Sequence, residues 1–388
     1  MTAPAGRPRA RSPGEAFPPD DVATMRIALA LARRGLGNTW PNPAVGAVVW
    51  TPGPDGPVIL GRGWTQPGGR PHAEPVALAQ AGAAARGATL SVTLEPCSHF
   101  GKTAPCSHAI LDAGIARVVS AIEDPDPRVN GRGHIMMRAH GVTVSVGVLA
   151  SEARWANRGF IKRIVEGRPM VTLKLARTAD GYAAACAGPR LMITGPEAAA
   201  RVHLMRAQHD VVLVGVGTVL ADDPLLTCRL PGLEHRSPVR VVLDTTLRTP
   251  PGARIVATAR EVPTWIVAAL DAPGAAETAL AQAGAVVIRV PRAPDGAGLD
   301  LLAALAALSA RGVTRAFCEG GPRLAESLAL AGQVDAVEIL TGPDRLGRPG
   351  LPSIGPALAQ IIERDPQMER GEAVPLGRDA WRSYARRR

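Results

Sequence analysis

Two short stretches carry residue types that could hold a metal and move protons: His72-Ala73-Glu74, and the run from Glu95-Pro96-Cys97 through Pro105-Cys106. One imidazole and two thiols make three zinc ligands. Structural zinc sites usually close the tetrahedron with four protein ligands, whereas catalytic sites use three and keep a position for water. Glu74, two residues past the histidine, can then carry protons without ligating, and zinc makes water a nucleophile near neutral pH. Two other readings use the same residues. Cys97, His99, Cys106 and His108 could close a local four-ligand structural loop, or the cysteines could be reduced packing residues beside an incidental histidine.

The elements around these residues suit the first reading. His72 opens an Ala-rich helical run to about Ala85, and Thr89 to Leu94 reads as a strand that delivers Glu95-Pro96-Cys97 at its carboxyl end, where open α/β sheets place ligands. Cys97 and Cys106 each follow a proline, and both metal-bearing segments are expected at helix starts, which favour thiolate. Asp20 or Asp21 should cap a helix running to about Arg34. Val45 to Trp50 and Val58 to Trp64 read as a strand pair, Cys106 to Ala113 as a helix and Arg117 to Ile122 as a strand. Asp124 to Gly133, with two Asp-Pro pairs and two glycines, reads as an ordered loop or lid whose role composition does not give.

Glu166-Gly167-Arg168-Pro169 marks a boundary. Beyond it, strands are expected at Val171 to Leu175, Val211 to Gly215, Val239 to Leu243, Thr264 to Ala268, Val286 to Val290 and Thr314 to Cys318. Helices are expected at Pro196 to Ala207, Leu299 to Ala310 and up to Ala329. Gly215-Val216-Gly217 begins a dinucleotide-binding pattern but places Leu220 where a third glycine belongs. Glu319-Gly320-Gly321-Pro322 precedes a helix and could cradle a phosphate, or be a plain turn.

Length and charge bound the rest. A chain of 388 residues is expected to form two or three domains. No run approaches the ~18 apolar residues of a membrane span, and Met1 to Pro19 lacks a secretory apolar core, so a cytoplasmic location without membrane association is expected. Five cysteines are too few and too scattered for a disulfide framework. A formal charge of +10 raises nucleic acid as a partner, but the arginines are dispersed and 3% aromatic residues are too few for a base-stacking platform. A small phosphorylated substrate fits at least as well, and a homo-oligomer is expected.

Taken together, the chain resembles the bifunctional riboflavin biosynthesis deaminase/reductase family from about residue 21 to its last strands. The likeness rests on Pro41-Asn42-Pro43-Ala44-Val45-Gly46, His72-Ala73-Glu74, Glu95-Pro96-Cys97-Ser98-His99 with Gly101, Thr103, Pro105 and Cys106, and the pairs Asp124-Pro125 and Asp126-Pro127. Eight residues separate the two cysteines, where general cytidine and tRNA deaminases have two. In the second half it rests on Lys174-Leu175-Ala176, Asp180-Gly181, Gly217-Thr218-Val219-Leu220-Ala221-Asp222-Asp223-Pro224, Asp244 and Glu319-Gly320-Gly321-Pro322.

Residues 1–19, rich in Pro, Arg and Ala, are expected to be a disordered tail, and the resemblance implies an α/β protein with a cytidine-deaminase-like three-layer domain at 20–167 and a dihydrofolate-reductase-like domain at 168–388. It makes His72, Cys97 and Cys106 the zinc ligands, Glu74 the proton shuttle and Asn42 a substrate contact. It places NADPH near Arg177, Met192, Thr218, Asp222 and Thr245, and along the helix start Gly321, Pro322, Arg323, Leu324, Ala325, Glu326 and Ser327. Arg190, Arg206, Leu226, Arg229 and Glu319 become substrate contacts of the reductase, the arginines suiting a phosphate. Where the family has a polar Ser-Gly-Glu-Ser-Gln-Trp type of segment, this chain has Ala187-Gly188-Pro189-Arg190-Leu191-Met192. A deaminase with a non-catalytic second domain is therefore one alternative, and a nucleic-acid base deaminase is another.

Overall fold

The structure, a computed structural model, describes residues 16–99, 104–127, 129–186 and 191–387. The chain divides into two compact units, Met1–Val165 and Glu166–Arg388. No helix among the described residues is long and apolar enough to cross a membrane.

In chain order the first unit contains α1 (Pro19–Ala32), β1 (Gly46–Gly53), β2 (Gly56–Trp64), α2 (Ala73–Ala81), β3 (Thr89–Val92), α3 (Cys106–Asp112), β4 (Arg117–Ser120), α4 (Arg132–Ala139), β5 (Thr143–Val146) and α5 (Ala150–Glu166). Its sheet has the order β2-β1-β3-β4-β5. Strand β1 is antiparallel to β2 and β3, while β3, β4 and β5 run parallel. Every residue of β3 is buried, as expected of a central strand covered on both faces. Helix α2 can lie against β2 because Gly61 and Gly63 present no side chain there. A Cβ at Gly61 would strike Ala77 and one at Gly63 would strike Ala73 and Ala77. We expect Gly63→Ala to cost about 1–3 kcal/mol by overpacking, read as a lower urea midpoint for the first unit, because the obstacle is helix backbone.

The beginning of the unit differs from the sequence expectation. Phe17 packs against the core and α1 starts at Pro19, so order begins inside the expected tail. Asp21 does not cap the helix. It is 1% exposed and takes both guanidinium branches of Arg117 at 2.7 and 2.6 Å, tying α1 to β4. A buried carboxylate needs such a partner more than the helix end needs a cap.

The second unit contains β6 (Met170–Arg177), β7 (Tyr182–Ala185), α6 (Pro196–Ala207), β8 (Val211–Gly215), α7 (Val216–Asp222), β9 (Val239–Leu243), α8 (Arg254–Ala257), β10 (Thr264–Ala269), α9 (Gly274–Gln282), β11 (Val286–Val290), α10 (Leu301–Ala310), β12 (Arg315–Cys318), α11 (Pro322–Leu330), β13 (Ala336–Thr341), β14 (Gly350–Pro352), α12 (Pro356–Arg364), β15 (Met368–Leu376) and β16 (Asp379–Arg386). Nine strands form one sheet in the order β11-β10-β9-β8-β12-β6-β13-β16-β15. The first seven run parallel, and β16 and β15 close the sheet as an antiparallel hairpin. Asp180 fixes the turn after β6 by accepting hydrogen bonds from the Thr178 hydroxyl at 2.6 Å and the Leu346 and Gly347 N–H groups at 2.9 and 3.0 Å.

Candidate active sites

In the first unit three elements bring the metal-binding residue types together. His72 is the residue before α2 and Cys106 is the first residue of α3. Cys97 lies in the loop after β3 and not at a helix start, because β3 ends at Val92 and the described residues from Thr93 to His99 hold no helix. The His72 Nδ1 stands 3.3 Å from Cys106 Sγ and 3.7 Å from Cys97 Sγ, and the three ligand atoms lie within 4.8 Å of one another. Bonds of about 2.0–2.3 Å at tetrahedral angles would place ligand atoms about 3.5 Å apart, so the donor set fits zinc in chemistry and in spacing. The backbone N–H of Cys106 donates to Cys97 Sγ at 3.3 Å. Among the described residues His99 and His108 stay outside this group, which removes the four-ligand loop.

The titration behaviour follows from this crowding. A hydrogen bond from Cys106 and another from His72 hold the Cys97 thiol far below its ordinary range, at about 4, against burial. Cys106 is pushed upward by the same bond and by burial, so the pair favours one thiolate with a thiol beside it. His72 is raised, first through its hydrogen bond with Cys97. Glu74 is 3% exposed, and burial pushes its carboxyl up to about 7 although the neighbouring His72 pulls the other way. A group poised near neutrality can take a proton and give it back.

These residues open on a cavity of about 260 Å³ lined by Asn42, Arg70, His72, Glu74, Glu95, Cys97, His99, Asp124, Asp126, Phe160 and Arg163, among others. Asn42 is in place, its amide donating to Gly69 O at 2.8 Å. Sequence reading missed Arg70, Asp124, Asp126 and the α5 residues Phe160 and Arg163 as cavity walls. The two Asp-Pro pairs were the available signal for the aspartates. Burial raises Asp124 to about 7 against the hydrogen bond it accepts from Asp126 N–H, and the carboxylates of Asp126 and Glu95 add to the rise.

In the second unit the expected residues gather at the carboxyl ends of four neighbouring strands, β9, β8, β12 and β6. Thr245 follows β9, Thr218 and Asp222 lie on α7 after β8, Glu319 follows β12, and Arg177 ends β6. Leu226 is buried with φ +55°, and Asp223 and Leu247 are also at positive φ, so strained backbone is concentrated here. Arg206 departs from expectation. Its Nε and Nη2 donate to Glu319 at 2.5 and 2.9 Å and its Nη1 to Thr227 O at 2.9 Å, so the guanidinium is committed inside the protein. Burial would raise Glu319, but the Arg206 charge outweighs it and leaves the carboxylate below its ordinary range. Arg229 is exposed beside this pair.

Other expected contacts are divided. Glu326 is occupied at the start of α12, accepting from the Ala357 and Leu358 N–H groups at 2.7 and 3.2 Å. Ala325 is in the core, which leaves Gly321, Arg323 and Ser327 as the exposed part of the α11 start, beside the half-buried Pro322 and Leu324. Arg177 donates to the Thr341 hydroxyl at 3.1 Å and lines a different cavity, with Ile339, Ile354 and Tyr384. Met192 is 80% exposed, and Arg190 lies outside the described residues.

Two family models match the chain, the cytidine and deoxycytidylate deaminase zinc-binding region over residues 18–122 and the RibD C-terminal domain over residues 169–372. The riboflavin biosynthesis protein RibD of Aquifex aeolicus is 40% identical over 359 residues, covering 92% of this chain and 96% of its own. That of Escherichia coli is 40% identical over 340 residues, covering 84% and 89%. Among solved structures, Acinetobacter baumannii RibD superposes with a TM-score of 0.83 at 30% identity, covering 95% and 99% of the two chains. The diaminohydroxyphosphoribosylaminopyrimidine deaminase/5-amino-6-(5-phosphoribosylamino)uracil reductase of Thermotoga maritima gives 0.78 at 30% identity, covering 94% and 98%. With a zinc-type His/Cys/Cys group in one unit and a reductase fold in the other, the chain belongs to the RibD family and is a bifunctional deaminase and reductase of riboflavin biosynthesis.

Proposed function

We propose that the first unit removes an amino group hydrolytically from a diaminopyrimidinone ribosyl phosphate, with zinc held by His72, Cys97 and Cys106. The convergence of these three ligand atoms beside the buried carboxyl of Glu74 carries the reading. Zinc supplies, when bound, the acidity that makes water a nucleophile near neutral pH. Glu74 takes the proton of the water that adds to the amine-bearing carbon and delivers it to the departing ammonia. Asn42 and the aspartates of the cavity wall orient the base. The wide spacing of Cys97 and Cys106 and the second unit favour a small phosphorylated pyrimidine over a base in nucleic acid.

The second unit then reduces the ribosyl chain of the deaminated product to ribityl. NADPH supplies the hydride when bound. Thr218, Thr245 and the exposed start of α11 offer hydroxyl and backbone N–H donors at the carboxyl ends of the strands, the usual place for such a ligand. Arg229 is the cation placed for the substrate phosphate, and Arg206 holds Glu319 in its charged form. We read the assembly as a homo-oligomer, and light scattering above the mass of one chain checks it.

Zinc content and both half-reactions measured on one preparation test the whole. His72→Ala is expected to lose zinc and ammonia release while NADPH oxidation with the deaminated intermediate continues. Retained zinc in that variant would sink the ligand assignment. Absence of NADPH oxidation in the unaltered chain would reduce the second unit to a scaffold.

A further inference from the structure

The loop that follows β4 has so far been only a wall. Its described residues, Asp124–Pro127 and Val129–Gly131, lead into α4, and Asp124 and Asp126 line the cavity over His72 and Cys97. Among its described residues, Asp126 N–H donates to Asp124 Oδ1 at 2.8 Å, and the Val129 and Asn130 N–H groups donate to Asp126 O. One side chain reaches both of its ends. Glu95 is 3% exposed, and its Oε2 accepts from Asp124 N–H at 3.2 Å and Gly131 N–H at 2.8 Å. Its Oε1 accepts from Gly133 N–H at 2.9 Å and His134 N–H at 3.4 Å.

Three of those donors belong to the start of α4, where Gly131 is the cap residue with φ +76° and has no side chain to offer. Glu95 thus caps α4 from a distant part of the chain and places a carboxylate at the positive end of the helix. The fourth donor, Asp124, opens the cavity-lining loop, so one carboxylate grips both ends of that loop. Close approach is built in as well: a Cβ on Gly133 would meet the carbonyl of Pro96, the residue between Glu95 and the ligand Cys97.

We infer that Glu95 is a positioning residue of the deaminase, which locks the Asp124–Gly131 loop onto the turn carrying Cys97 and so sets the substrate wall relative to the ligand group. The inference rests on the deaminase reading of the His72 site. A loosened wall weakens capture of the pyrimidine more than the chemistry, because none of the four donors belongs to the ligand set or to Glu74.

Glu95→Gln in the full zinc-loaded chain is the test. The amide keeps the shape but replaces one acceptor oxygen with an NH2 donor that faces backbone N–H groups and can accept from none of them. Zinc should stay bound and NADPH-dependent reduction of the deaminated intermediate should be unchanged, while KM for the pyrimidine ribosyl phosphate in ammonia release rises about tenfold and kcat falls much less. Gly133→Ala should raise the same KM, and the double variant should raise it no further than the worse single one, because both release one contact. An unchanged KM in Glu95→Gln, a loss confined to kcat, or multiplying effects in the double variant would each overturn the inference. So would loss of zinc, or of folded protein with wild-type KM in what survives, since either marks Glu95 as merely structural. Failure of the underlying deaminase reading looks different, as ammonia release from the unaltered chain that persists after zinc is removed.

Discussion

Glu74→Gln is expected to lower the rate of ammonia release about a thousandfold, the scale of a lost general acid–base group, with zinc still bound and thermal stability intact. The physical reason for intact stability is burial. Burial holds the Glu74 carboxyl up to about 7, so the fold already disfavours its charge. A neutral amide of the same shape avoids that cost. Zinc stays because the ligand atoms come from His72, Cys97 and Cys106 and none from position 74. Ammonia release, metal content and a melting curve on one sample check the three parts. A variant that keeps its rate shows that the proton travels by another group.

Arg206→Ala is expected to destabilise the second unit by about 3–5 kcal/mol, the usual cost of stranding one half of a buried ion pair, and to stop the reductase while ammonia release continues. Glu319 is almost fully buried and its two oxygens take two branches of the guanidinium, so the variant leaves an uncompensated charge. The pH dependence has a definite sign. In the unaltered protein Glu319 lies below its ordinary value, so the pair's contribution is full above about pH 4.3 and is lost as pH falls through the depressed folded value. In the variant burial is opposed only by the weaker pull of the Lys174 and His203 charges, so Glu319 rises and acidification relieves it. The gap in stability between the two proteins should therefore narrow as pH falls, in denaturation curves followed across that range. Arg206→Lys should recover the charge but not the two-pronged geometry, and so only part of the stability.

The metal group was legible because its chemistry constrains residue type: few residues ligate zinc, and His72, Cys97 and Cys106 keep their spacing in the chain whatever the fold does. The parallel strands were legible for a related reason, since doubly covered strands such as Val211–Gly215 are unbroken apolar runs. What could not be read were partners chosen across long sequence distances. Asp21 looks like a helix cap until Arg117, 96 residues away, claims it. Arg206 looks like a phosphate ligand until Glu319 claims it, 113 residues away. Helix α4 was hidden because Gly131 and Gly133 read as loop, whereas the carboxylate that starts the helix sits at Glu95. Strand β15 escaped because its residues are largely exposed, and β16 because charged and small residues interrupt any apolar run.

The place of β16 has a bearing on synthesis. The first unit is complete once residue 165 has been made, whereas the second cannot close its sheet until β16 slots between β13 and β15, roughly 220 residues later. At ribosomal speeds that interval is on the order of 10–40 s. Through it the zinc unit can fold and load metal, and in its last part, once β13 has been made, the nascent reductase exposes the flank of β13 that β16 will cover. The nascent chain is therefore most exposed to aggregation late in its translation.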